Sequence, residues 1–212
     1  RRCRYVDPRS VRQLADVPKR PTGLCMLPGG VLAITSSESF GNSCLKFIAA
    51  RNDSDPQKLA ACRASSLAAR HFEFEVPAGM ALTNDGLLVC NCVSTYTALY
   101  KFAKNGSMDE LATVPVLADY GEGVRRCAVH QQTQRTYAIA KDEEDNQALV
   151  LLDANLQVIA TVEAIDGTPV NSDEDGEPVR DVAVHGDLVI VLTTDDHPKG
   201  SGLRLLDLDG RF

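Results

Sequence analysis

A heptad that the chain uses twice constrains its fold more than any other feature. V-R-R-C-A-V-H at Val124 to His130 returns as V-R-D-V-A-V-H at Val179 to His185, with five of seven residues identical. Two further copies align without gaps: P-T-G-L-C-M-L-P-G-G-V-L-A-I-T from Pro21, and P-A-G-M-A-L-T-N-D-G-L-L-V-C-N from Pro77. Four copies therefore start near residues 21, 77, 124 and 179. Self-similarity at a spacing of roughly 50 residues marks a chain built from stacked supersecondary units, each of which buries its apolar face against the next.

The internal pattern of a copy predicts four short strands. In the second these are G-M-A-L, L-L-V-C-N-C-V, A-L-Y-K-F-A and M-D-E-L-A-T-V, separated by T-N-D-G, S-T-Y-T and K-N-G-S. Asn-Gly, Asp-Gly and Gly-Gly supply the positive φ angles of tight turns, so consecutive strands pair antiparallel as meanders. Four strands per unit of this length is the blade of an all-β propeller.

The pattern P-x-G-[apolar]-A-[apolar], then D-G-[apolar]-[apolar]-V, [apolar]-x-x-F and N-G resembles the NHL-type repeat family of β-propellers. It is fullest over Pro77 to Val114 and returns in L-R-L-L-D-L-D-G-R-F at Leu203 to Phe212. Neither the W-D dipeptide of WD40 arrays nor the kelch combination of glycine doublets with paired aromatics occurs. Cys3 to Val17 aligns with Tyr100 to Val114, placing a third and a fourth strand ahead of the first full copy. The expectation is a single β-propeller region over 1–212: roughly four blades' worth, three complete and two partial. The resemblance implies a larger ring of six blades. The opening Arg1-Arg2-Cys3-Arg4, without Met or an apolar leader, is expected of a mature product or an excised piece. Residues 49–71 interrupt the first copy, and Leu59, Cys62, Ser66 and Leu67 at helical spacing after Asp55-Pro56 predict a short helix on a long loop.

Charge narrows the function. The net charge is −7, with acid gathered at Lys141 to Asp145, Asp173 to Glu177 and Asp195-Asp196. That sign disfavours nucleic acid, and no aromatic stacking series accompanies the basic residues near the start. No apolar run is long enough to span a bilayer as a helix. The seven cysteines follow no disulfide framework of a small secreted scaffold, and reduced thiols suit the cytoplasm. The sequons at Asn52 and Asn105 point the other way, to secretion.

The first strand of a propeller blade lines the central channel, which would crowd Arg125, Arg126 and Arg180 on one rim beside Asp195 and Asp196. These five are the candidate binding residues. Converging guanidinium groups suit a carboxylate or phosphate, although pairing with acids of the same face is the competing reading. N-S-D-E-D-G-E at Asn171 to Glu177 imitates the first half of a calcium loop, but Val182 stands where the bidentate Glu is required. Cys90 and Cys92 share a strand face without a second ligand pair, which predicts buried thiols. His130 and His185 are equivalent by repeat, in the first turns at the end opposite the arginines. No nucleophile elbow, H-E-x-x-H, P-loop or dinucleotide fingerprint is present.

The functional expectation is a non-catalytic scaffold that binds a protein partner and needs no cofactor. The alternative is a propeller enzyme, a metal-dependent lyase or lactone hydrolase, with its site at the channel mouth. Such enzymes resemble this chain in their repeats, but draw His, Glu, Asp or Asn ligands from the starts of inner strands, where this sequence offers Pro, Thr, Gly, Ala, Val and Arg.

Overall fold

A computed structural model describes residues 20–27, 31–36, 44–49, 77–84, 86–91, 98–103, 112–115, 123–141, 147–162, 164–170, 178–195 and 197–211. The predicted helix within 49–71, the segment Cys3 to Val17, both sequons and Cys92 lie outside the described residues. Among the described residues the chain is all-β, with sixteen strands in antiparallel sheets.

Four meanders follow the repeat. Sheet I holds β1 (Pro21–Leu27), β2 (Val31–Ser36) and β3 (Cys44–Ala49). Sheet II holds β4 (Pro77–Leu82), β5 (Gly86–Asn91), β6 (Ala98–Ala103) and β7 (Ala112–Pro115). Sheet III holds β8 (Gly123–Val129), β9 (Thr136–Lys141), β10 (Gln147–Leu152) and β11 (Val158–Val162). A short hairpin, β12 (Ala164–Ile165) and β13 (Thr168–Pro169), leads to sheet IV: β14 (Val179–His185), β15 (Leu188–Thr193) and β16 (Gly202–Leu206). Each copy of the repeated motif lies on the first strand of a sheet, and β1, β4, β8 and β14 pack side by side in that order.

The sheets also pack face to face, and their composition records it. Sheet III is covered on both sides, so β9 and β10 are buried at every position. A strand in that situation must be apolar without alternation, as T-Y-A-I-A-K and Q-A-L-V-L-L nearly are. Toward sheet II it offers Ala138, Ala140, Ala148 and Val150, which meet Ala81, Leu88 and Cys90. Toward sheet IV it offers Tyr137, Ile139, Leu149 and Leu151, which meet Val182, Val189, Val191 and Leu206. Sheet III thus presents mostly small residues on one face and large ones on the other.

Turns are written locally. Asp153 Oδ1 accepts from the N–H groups of Asn155 (2.8 Å) and Gln157 (2.9 Å), and the Asp153 N–H donates to Gln157 O (2.9 Å). D-L-D-G-R at 207–211 repeats this bond for bond: Asp207 Oδ1 accepts from Asp209 (2.9 Å) and Arg211 (2.8 Å), and its N–H reaches Arg211 O (2.8 Å). The fourth position needs positive φ in both, 77° at Gly210 and 63° at Leu156. Gly supplies that conformation without strain, whereas Leu156 holds it with its side chain buried in the core between sheets II and III.

Polar side chains tie the sheets together. Gln147, buried at the start of β10, acts as a surrogate strand: its Nε2 donates to Val179 O and its Oε1 accepts from Val179 N, both at 2.7 Å. Tyr137 Oη donates to Leu208 O (2.8 Å), and Arg135 Nη1 donates to Leu208 O (3.0 Å) and Asp209 Oδ1 (2.8 Å). Asp166, at φ 55° in the two-residue β12–β13 turn, accepts from Lys199 Nζ (3.0 Å) and lies 3.8 Å from Arg204 Nε.

Two outcomes are expected. Gln147→Leu strands a buried donor and a buried acceptor on Val179, each costing about 1–3 kcal/mol, and lowers the urea midpoint accordingly. Burial raises the Tyr137 hydroxyl above its ordinary 10.0, outweighing the lowering effect of Arg135. The unfolded chain then releases that proton first, so stability present below pH 10 falls as pH climbs through the folded-state value. Denaturant titrations across the alkaline range should show that slope reduced in Tyr137→Phe.

Candidate functional site

The four first strands share one irregularity. Strand register skips between Pro21 and Gly23, between Pro77 and Gly79, between Val124 and Arg126, and between Val179 and Asp181. The skipped residues are Thr22, Ala78, Arg125 and Arg180, one repeat position in all four sheets. A bulge inserts an unpaired residue, bends the strand and re-aims the side chain it carries. The chain therefore spends the same device four times and loads it with a cation only twice.

The residue after each bulge forms a row of its own: Gly23, Gly79, Arg126 and Asp181. A Cβ added to Gly79 would stand 3.1 Å from Arg125 O and 3.3 Å from both Cα and Cδ of Arg126, so β4 and β8 approach as closely as backbone allows. One added to Gly23 would fall 2.7 Å from Thr35 Oγ1 and 3.5 Å from Gly79 Cα. Into the space left by Gly79 runs the Arg126 side chain. Its Nη1 donates to Ala78 O on the bulge of β4 and to Arg125 O (2.9 Å), while Nε faces Asp181 Oδ1 at 4.0 Å. One guanidinium thus joins three neighbouring first strands.

The five candidates separate accordingly. Arg126 bonds across the first strands. Among the described residues the acid it faces is Asp181, inside the strand. Arg125 is half-buried and Arg180 exposed, and each makes an interaction within the protein. Asp195 is exposed just beyond β15, at the end of sheet IV where β14 begins, since Val179 pairs with Thr193 and the Thr194 N–H donates to Pro178 O (3.1 Å). It shares that end with Arg180. Asp196, segment 142–146 and segment 171–177 lie outside the described residues.

The remaining polar candidates serve packing. His130 is buried, its Nδ1 2.7 Å from Thr133 Oγ1 and accepting from the Thr133 N–H (3.3 Å), with Nε2 3.8 Å from Asp187 across to sheet IV. Its repeat equivalent His185 is exposed. Cys90 is buried in the core between sheets II and III, where Cys127 joins it from β8. His197 is buried, its Nδ1 accepting from the Lys199 N–H (3.2 Å). Among the described residues no three His, Cys, Asp or Glu side chains gather in a group that could hold a metal ion.

Sequence reasoning missed Asp181 and Gln147. The first had a legible signal: in the repeated heptad, Arg126 and Asp181 are the one position where charge reverses, and those two side chains meet. Gln147 had none, because an isolated Gln at a strand start looks like any solvent-facing polar residue.

No family model and no curated protein matches the chain. Among solved structures, the computationally designed Ika8 protein aligns with a TM-score of 0.49 and 9% identity, over 89% of this chain and 46% of that one. The chain thus spans under half of the designed protein's length. A structure titled as a nidogen/laminin complex aligns with a TM-score of 0.47 and 11% identity, over 89% of this chain and 76% of the other.

The row after the bulges yields a graded expectation. Asp181→Asn removes only a long, partly exposed ion pair and should cost less than about 1 kcal/mol. Arg126→Ala also unpairs Ala78 O and empties the space over Gly79, and should cost about 1.5–3 kcal/mol. Urea denaturation of both variants reads the difference.

Proposed function

We propose that the four meanders are blades of an NHL-like β-propeller serving as a non-catalytic interaction scaffold, with its recognition surface at the bulged ends of the first strands. The observation that carries this reading is the four-fold bulge. It presents one residue per sheet at the same level, and the chain fills two neighbouring presentations with Arg125 and Arg180 where the earlier copies hold Thr22 and Ala78. A strand does not need a cation there, and Arg126, one residue on, already supplies the guanidinium that holds the strands together. Two planar forks on adjacent sheets suit a carboxylate-bearing segment of a protein partner. Asp195 at the same end sets an acidic border that favours partners combining an acidic group with a flanking cation.

Arg125→Ala and Arg180→Ala should each weaken partner capture by a factor of about 30 or more, as expected for truncating a desolvated charged contact, while leaving the thermal midpoint within a few degrees of wild type. An acidic-peptide array scored against both variants, alongside thermal melts, measures the two readouts together. Lowered midpoints with unchanged peptide binding would reduce these arginines to internal pairing. Stoichiometric calcium or zinc retained by the purified protein would favour the lyase or lactonase reading instead.

A further inference from the structure

We infer that Asp166 is an internal stand-in for an acidic ligand group: it occupies a carboxylate-binding site formed by Lys199 and Arg204, which the side chain of an acidic peptide fills in its place. The inference does not rest on Arg125 and Arg180. It starts from the β12–β13 hairpin, whose two-residue turn, Asp166-Gly167, holds positive φ at both positions, 55° and 71°. Asp tolerates that conformation, and at this turn it brings a carboxylate to two cations. Lys199 Nζ lies 3.0 Å from Asp166 Oδ1 and donates to Asp166 O (2.6 Å), while Arg204 Nε lies 3.8 Å from Oδ2. The two carboxylate oxygens are thus divided between a lysine from the β15–β16 loop and an arginine from β16, the way a basic pair receives a carboxylate from outside. The loop carrying Lys199 begins where the Thr194 N–H donates to Pro178 O, at the end of sheet IV that also bears Arg180 and Asp195.

Asp166 does not fill the site. At 3.8 Å its contact with Arg204 is an ion pair and too long for a hydrogen bond. Arg204 Nε is buried, and among the described residues it has no hydrogen-bond partner; the same is true of His197 Nε2. His197 Nδ1 accepts from the Lys199 N–H (3.2 Å), which leaves the ring proton on Nε2 and makes that atom a donor rather than a metal ligand. Arg204 Nη2 reaches the carbonyls of Lys199 (3.3 Å) and Gly200 (3.5 Å), so both unsatisfied donors are tied to the residues around the Lys199 ammonium. Buried donors of this kind are costly, and what they lack is an acceptor. A carboxylate on a flexible peptide approaches Arg204 more freely than one fixed to a two-residue turn. The site is open to solvent on the lysine side, where the side chains of Lys199 and Asp166 are 51% and 26% exposed. Asp166 therefore holds the site shut, and the second Lys199 bond, to the main-chain carbonyl of Asp166, keeps the hairpin in place when its carboxylate is displaced.

Fluorescence anisotropy with a labelled, capped tetraglutamate peptide tests the assignment. Asp166→Asn removes the competing charge and keeps the turn, since Asn accepts positive φ and Lys199 retains the main-chain carbonyl at 166. It should bind the peptide about 3 to 10 times more tightly than wild type, the gain expected when partly exposed ion pairs no longer compete. Adding Lys199→Gln/Arg204→Gln should abolish that gain. Asp187→Asn makes the same change in net charge at the opposite end of sheet IV and should bind as wild type does. Should Asn disturb the hairpin, seen as a lowered thermal midpoint, Asp166→Gly repeats the experiment. Equal affinities of wild type and Asp166→Asn overturn the inference. So does an equal gain in Asp187→Asn, which reduces the effect to net charge, or a gain that persists without Lys199 and Arg204. The series repeated on Arg125→Ala/Arg180→Ala separates this site from the bulged row: the gain should remain, and its loss there overturns the inference by assigning the peptide to the row alone.

Discussion

The spacing between β4 and β8 is the constraint on which the other sheets depend. Gly79 leaves no Cβ between the strands, and Arg126 uses the vacated volume to reach the carbonyl that the bulge at Ala78 has turned away from its own ladder. A bulge normally leaves a backbone group in need of a partner, and here the neighbouring sheet provides it. The same side chain then faces Asp181 on β14, so the placement of three sheets is referred to one guanidinium. Because the cation is fixed through hydrogen bonds to carbonyl oxygens, its position does not rest on the long ion pair.

From that row outward the interfaces diverge in character. Between sheets II and III the core is built from alanines, valines, cysteines and a few leucines. Between sheets III and IV it is built from Tyr137, Ile139 and leucines, reinforced by the Gln147 bridge and by the Tyr137 bond to the turn at 207–211. Side chains of different size fill the two interfaces to the density of a protein interior.

The antiparallel meanders were legible because their signals are local. Apolar runs five or six residues long, broken by Gly, Asn and Asp, leave few alternatives to hairpins, and the duplicated heptad marked where sheets begin. The candidate arginines were legible as a repeat position, but their individual roles were not. Arg125 and Arg126 are adjacent and chemically identical, and only the bulge decides which one turns inward along the strand row. A register skip leaves no composition signature: Thr, Ala and Arg all occupy it. Gln147 was illegible for a related reason, since its pairing with Val179 is a contact between strands 32 residues apart that no periodicity encodes. Asp181 could have been found by comparing the two heptads for a charge reversal rather than for identity.

The duplicated aspartate turn has a kinetic meaning. At 153–157 and again at 207–211, every bond that shapes the turn is made within five residues, so the bend forms without help from any other sheet. Closing a loop this short takes a small entropic toll and occurs early in the collapse of a chain. At 153–157 the bend is a nucleus from which β11 can zip against β10 before long-range docking of one sheet on another has begun. Tyr137 then recognises the finished bend at Leu208 from the preceding sheet. That ordering suits a repeat protein that assembles along its length, one sheet templating the next, with local contacts forming ahead of distant ones.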